Sequence, residues 1–169
     1  MVHSIELLLD SESEAAVRQV WKALSHAGLR APAPTSRPHA TLVVAEAISP
    51  DVDEALHPVL ERLPLPCVIG AAMVFGRSPF VLVRAVVPSV ELLELQAEVA
   101  RISMPYVAPG AAPNTAAGQW TPHVTLARRV DPSQLPRALS IRNFTREIRG
   151  RAVGLRRWQG DKRVEHLIR

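Results

Sequence analysis

The sequence predicts an α+β fold built by divergent duplication, its halves related by a pseudo-twofold axis. Two observations carry this. The order of elements in each half is helix, loop, strand opening on His, helix, then two strands. The two His-led strands also share one string, as Pro38-His39-Ala40-Thr41-Leu42 and Pro122-His123-Val124-Thr125-Leu126. Four matching letters can recur by chance in a chain of 169 residues, but their equivalent place in each half makes the match strong.

Residues 2–9 read as a strand. Ser11 or Ser13 then caps a helix to about His26, with Gly28 as its stop. A Pro-rich loop over 30–38 leads to a strand at 39–47, and 51–62 reads as a helix. Strands follow near 67–75 and 80–87, joined by a turn at 76–79. Ser89 caps a helix over 90–102. A loop rich in Pro, Gly and Ala, 104–119, precedes a strand from His123 to about Arg129. A short helix near 133–139 leads to a closing hairpin, about 145–158 and 164–168, around Gln159-Gly160-Asp161. The expected arrangement is one domain with lobes at about 1–79 and 80–169, strands being free to exchange between them.

A chain of 169 residues supports a single sizeable core. A hydrophobic content of 47% and a mean hydropathy of +0.08 are globular values and exclude a disordered chain. No apolar run nears the roughly 18 residues that cross a bilayer. The first residues carry acids too early for a signal peptide. The expectation is a soluble, cytoplasmic monomer. Cys67, the only cysteine, excludes an internal disulfide and a cysteine metal cluster, and reads as a small buried residue.

The net charge of +4 is uneven. Residues 1–79 hold 6 Lys+Arg and 9 Asp+Glu, giving −3; residues 80–169 hold 14 and 7, giving +7. A basic half suits a phosphate-bearing partner, although a solvated arginine-rich surface would give the same count.

In a strand, residues i and i+2 share a face. His39 and Thr41 therefore project together, as do His123 and Thr125, while Ala40, Leu42, Val124 and Leu126 form apolar faces that can pack beneath helices. A pseudo-twofold axis brings the two His/Thr pairs together across a cleft. Two imidazoles and two hydroxyls are what opening a cyclic phosphodiester needs. A neutral His takes a proton from the attacking water, and a protonated His gives one to the departing ribose oxygen. The Thr hydroxyls donate to the non-bridging oxygens. Zinc fits poorly, because Thr is a weak ligand and no Asp, Glu or Cys shares the pattern.

These paired His-x-Thr strings resemble the 2H phosphoesterase superfamily, and within it the bacterial 2′-5′ RNA ligase, or RNA 2′,3′-cyclic phosphodiesterase, branch. The order of elements agrees over nearly the whole chain, and TPHVTLARR at 121–129 is the best local match. The resemblance implies His39 and His123 as catalytic residues and Thr41 and Thr125 as phosphate holders. It also implies a bilobal fold of two antiparallel sheets lining a cleft, helices outside, and no metal or cofactor. The first motif departs from the branch: Leu42 is followed by Val43-Val44-Ala45-Glu46, where members often carry an aromatic residue, Leu and Gly.

Both long loops lead into a His-x-Thr strand and should rim the cleft. Tyr106 and Trp120 on the second are candidates for stacking on a base, with packing as the plainer role. Arg128 and Arg129 are phosphate candidates. Strand parity favours Arg129 if the strand stays regular, and the family pattern favours Arg128. Arg149, Arg151, Arg156, Arg157 and Trp158 form a basic stretch on the closing hairpin, either solvated or flanking an RNA backbone. His3, His26, His57 and His166 have no partner motif.

The expected function is metal-independent hydrolysis of 2′,3′-cyclic phosphate ends on RNA or nucleotides, with 2′-5′ ligation open to the same groups in reverse. The rivals are the same chemistry on a small nucleotide such as an ADP-ribose cyclic phosphate, and a non-catalytic RNA- or nucleotide-binding module.

Overall fold

The computed structural model describes residues 2–169. Its elements are β1 (His3–Leu9), α1 (Ser11–His26), β2 (His39–Ile48), α2 (Val52–Ala55), a 3₁₀ turn (His57–Arg62), β3 (Leu65–Phe75), β4 (Phe80–Val86), α3 (Val90–Ser103), β5 (Val107–Ala111), β6 (His123–Val130), α4 (Leu135–Leu139), β7 (Ile148–Gln159) and β8 (Val164–Ile168). The protein is α+β, as the sequence predicts.

Local chemistry sets the boundaries. The cap of α1 is Asp10, one residue before the expected serines; its carboxylate accepts from the Ser13 N–H at 2.8 Å. Gly28 follows α1 at φ +84°, which favours glycine. Ser89 caps α3 as expected, accepting from the Leu92 N–H. The helix expected over 51–62 is α2 followed by the separate 3₁₀ turn, because Pro58 has no N–H to continue the ladder. Strand β5 lies inside the segment expected to be loop. Its Pro and Gly hid it, and it runs along the outer edge of β2, where proline is tolerated.

All eight strands join one antiparallel hydrogen-bonded system in the order β1-β2-β6-β4-β3-β7-β8, with β5 beside β2 and β1 also beside β7. One edge of β7 runs along β1. Its other edge pairs first with β3, from Ile148 to Ala152, then with β8, from Leu155 to Gln159. Strand β7 thereby joins a β5-β2-β1 sheet, closed by β8, to a β6-β4-β3 sheet, and each sheet takes strands from both sides of residue 79. The sheets meet again where β2 touches β6 at a single register pair, Ala40 and Val124.

The helices cross over in the same way. α1 packs on β6 and β7 through Val17, Trp21 and Leu24, and α3 packs on β2 and β3 through Leu92, Leu95 and Val99. Cys67 is buried, which pushes its thiol up to about 11. Arg84 is fully buried with its guanidinium on the carbonyls of Gly70, Ile69, Phe144 and Arg146, tying β3 to the 144–146 loop.

The seat of α1 on β7 leaves no room for a side chain at Gly150. A Cβ there would lie 1.9 Å from Ser13 Oγ and 2.7 Å from Asp10 Oδ2. Gly150→Ala is expected to cost about 1–3 kcal/mol in urea unfolding. At Gly154 the nearest atom to a Cβ is Leu8 Cδ1 at 3.9 Å, so Gly154→Ala should sit near the wild-type midpoint. Equal midpoints for the two variants would refute this packing.

Candidate active site

The residues on either side of the Ala40–Val124 pair are His39 and Thr41 on β2 and His123 and Thr125 on β6. The bridging pair is buried and the four flanking residues are half-buried, on the alternation expected of regular strands. Antiparallel register sets His39 beside Thr125 and Thr41 beside His123. The joint between the sheets is thus the centre of the four-residue cluster.

Each imidazole is fixed in the same way. His39 Nδ1 lies 2.7 Å from the Arg37 carbonyl, and His123 Nδ1 lies 2.7 Å from the Thr121 carbonyl. A carbonyl only accepts, so Nδ1 carries the hydrogen in both rings and Nε2 is the nitrogen left for chemistry. The bond reaches back across Pro38 or Pro122, which explains the Pro-His pair in each motif. Glu14 of α1 holds the Arg37 guanidinium, and Arg18 donates to the Pro34 carbonyl at 2.7 Å, so α1 anchors the loop that leads to His39.

A β-bulge follows each threonine. On β2, Thr41 pairs with Glu6 but Val43 pairs with Ile5, leaving Leu42 as the extra residue. On β6, Thr125 pairs with Val83 but Ala127 pairs with Leu82, leaving Leu126. Each Thr carbonyl accepts an indole N–H from the other half of the chain. Trp120 Nε1 donates to the Thr41 oxygen at 2.8 Å, and Trp21 Nε1 donates to the Thr125 oxygen at 3.0 Å.

The bulge decides the arginine question. One extra residue reverses strand parity, so Arg128 joins the face of His123 and Thr125. Its positive charge reaches His123. Arg129 lies where the register breaks again, at φ +53°, so the regular alternation that favoured it does not extend that far.

The aromatic candidates are placed elsewhere. Trp120 is 8% exposed and part of the hydrophobic core, so it offers no stacking face. Tyr106 sits with Ser49 and Ile48 at the far end of β2 from His39. On the closing hairpin, Arg149 and Arg151 are exposed, but Arg156 and Arg157 point inward. Arg157 is paired with Asp53 at 2.8 and 2.9 Å.

Arg156 belongs to a network that sequence reading missed. Glu6 is 3% exposed and takes hydrogen bonds from Ser4 Oγ and Arg156 Nε, both at 2.6 Å. Arg156 also donates to Glu165 at 2.7 Å. Glu6 Oε1 lies 3.4 Å from His39 Nε2, and Arg156 approaches the other ring nitrogen at 3.3 Å. Since Nδ1 carries a hydrogen, that approach is a contact and not a bond. The available signal was Glu6 itself, the one acid of β1, set between Ile5 and three leucines.

His123 has different company. The Phe75 ring stands edge-on to it at 4.7 Å. Burial holds its pKa below the ordinary 6.5; the bond to the Thr121 carbonyl opposes this, and the charges of His39 and Arg128 add to it. Among the described residues, no three or more His, Cys, Asp or Glu side chains cluster as metal ligands. No helix among them is long and apolar enough to cross a membrane.

Several solved structures share this fold. TT0787 of Thermus thermophilus is 16% identical, with a TM-score of 0.62 over 100% of this chain and 96% of that one. The MHV ns2 PDE domain is 16% identical, at a TM-score of 0.57 over 99% and 97%. Escherichia coli LigT complexed with 3′-AMP is 16% identical, at 0.55 over 98% and 92%. No curated protein matches the chain in sequence. The 2′-5′ RNA ligase superfamily profile matches residues 9–162. The chain therefore belongs to the 2′-5′ RNA ligase superfamily, the two-histidine phosphoesterases.

Proposed function

We propose that the protein is an enzyme that hydrolyses 2′,3′-cyclic phosphate ends of RNA or nucleotides, without metal, by general acid–base catalysis. The observation that supports this most is the joint at Ala40 and Val124, which gathers two imidazoles and two hydroxyls around one point.

His123 is the base. Its neutral form is the one that burial and the neighbouring positive charges favour. Nε2 of His123 takes a proton from water as the water oxygen bonds to phosphorus. His39, the partner across the joint, is the acid, giving the Nε2 proton to the ribose oxygen as its bond to phosphorus breaks. The product is a phosphomonoester with a free ribose hydroxyl. The two histidines have exchanged protonation states and re-equilibrate through solvent. Thr41 and Thr125 donate to the non-bridging oxygens, and Arg128 adds positive charge on the His123 side. With a ribonucleotide 5′-hydroxyl in place of water as the nucleophile, and the 3′-oxygen leaving with the proton from the acid, the same groups form a 2′-5′ bond.

His39→Ala and His123→Ala should each lower turnover of a nucleoside 2′,3′-cyclic phosphate by about 10²–10⁴-fold, while dialysis against EDTA leaves the wild-type rate unchanged. A folded variant of either kind with near-normal turnover would refute the paired mechanism, and loss of rate restored by a divalent metal would refute its metal independence.

The profile of kcat/KM against pH should be a bell whose acidic limb belongs to His123 and lies below pH 6.5. Arg128 disfavours the imidazolium, so Arg128→Ala should move that limb to higher pH, and the His123 ring titration followed by NMR should move with it. An acidic limb that does not follow the His123 titration in Arg128→Ala would remove His123 from the role of base.

A further inference from the structure

The three tryptophans fall into two classes. Trp21 and Trp120 lie in the core with their N–H groups on threonine carbonyls. Trp158 is half-buried and stands outside that core.

Register places it. Directly opposed residues of antiparallel strands share a face. Thr41 opposes Glu6, and Glu6 opposes Arg156. One row along, Val44 opposes Ser4, Ser4 opposes Trp158, and Trp158 opposes Glu165. The indole therefore stands on the face that carries His39 and Thr41.

The contacts agree with the register. The Arg156 guanidinium is 3.3 Å from the His39 ring and 5.4 Å from the centre of the Trp158 ring. That guanidinium is itself held by Glu6 and Glu165, with 6% of the Arg156 side chain exposed. One fixed cation thus separates the indole from His39 and backs it. In a nucleotide, one ribose separates the phosphate from the base, a span of the same order.

We propose that Trp158 is the stacking platform for the nucleobase of the substrate, a nucleoside 2′,3′-cyclic phosphate or the last nucleotide of an RNA carrying one. The assignment rests on the reaction proposed above, and it takes the phosphate to lie between His39 and His123 with the base extending past His39 over β1 and β7. Every base has a π-face, so the platform selects for a base without selecting which one. Arg156 is a positioning residue here: it orients the indole and leaves the base contact to the ring.

The test compares adenosine 2′,3′-cyclic phosphate with 1-O-methylribose 2′,3′-cyclic phosphate, which has no base. Wild type should prefer the nucleoside in kcat/KM, and Trp158→Ala should shrink that preference by about 10–100-fold, the usual size of a stacking contribution, with Trp158→Phe retaining most of it. A merely structural role lowers both rates in step and leaves the preference unchanged, and that result overturns the proposal. Calorimetric binding of 3′-AMP and of inorganic phosphate separates this idea from the reaction beneath it. If wild type turns over neither substrate, the reaction is wrong. The platform then stands if Trp158→Ala weakens 3′-AMP by about 10–100-fold relative to phosphate, and falls if it does not.

Discussion

At both threonines of the site a backbone carbonyl is held by an indole N–H, and the layout of the His/Thr cluster depends on those two bonds. A bulge interrupts the ladder, and a carbonyl beside it that is buried without a donor costs about 1–3 kcal/mol. Trp120 and Trp21 supply the donors at Thr41 and Thr125. The bulges so held stop the strict alternation after each threonine, which brings Arg128 onto the histidine face and puts Val44 in the equivalent place on β2. Each indole comes from the opposite half of the sequence. A shift of either half would disturb the other's motif as well as its own.

The pseudo-symmetry ends at the two imidazoles. His39 lies over a fixed ionic network of Glu6, Arg156 and Glu165, and His123 lies against the edge of Phe75. Two copies of one motif thereby have different electrostatic surroundings, which supports the division into acid and base proposed for them. The same burial changes what the basic half of the chain amounts to. Arg84, Arg156 and Arg157 are interior, and the last two are neutralised by Glu6, Glu165 and Asp53. The +7 counted over residues 80–169 therefore overstates the positive charge on the surface.

What was legible in the sequence was what local periodicity controls. The pairing of His39 with Thr41 and of His123 with Thr125 on one face follows from strand parity, which stays regular to that point. Arg128 was ambiguous because a bulge is a tertiary event: Leu126 and Ala127 look like any two apolar strand residues until their partners on β4 are known. Trp120 and Tyr106 are candidates in the sequence because both lie on the segment that leads into the His123 strand. The chain between them makes β5 along β2 and carries them to a different layer and a different end. Glu6 and Arg156, 150 residues apart, share no local pattern and meet only through the pairing of β1 with β7. The cap at Asp10 was missed for a smaller reason, since three residues able to cap, Asp10, Ser11 and Ser13, crowd the start of α1.

The central place of β7 also governs the order in which the molecule can assemble. Its sequence comes late, yet it lies between β1 and β3 and forms the extended seam between the two sheets. A ribosome adding about 5–20 residues per second makes β1 to β6 well before that seam can close. Contacts of such long range also slow the closure itself. Until then β1 and β3 each present an unpaired edge, the kind of surface that recruits strands from other chains. The growing polypeptide thus passes through a sticky stage, and His39 gains its ionic surroundings only as that stage ends, when Arg156 arrives.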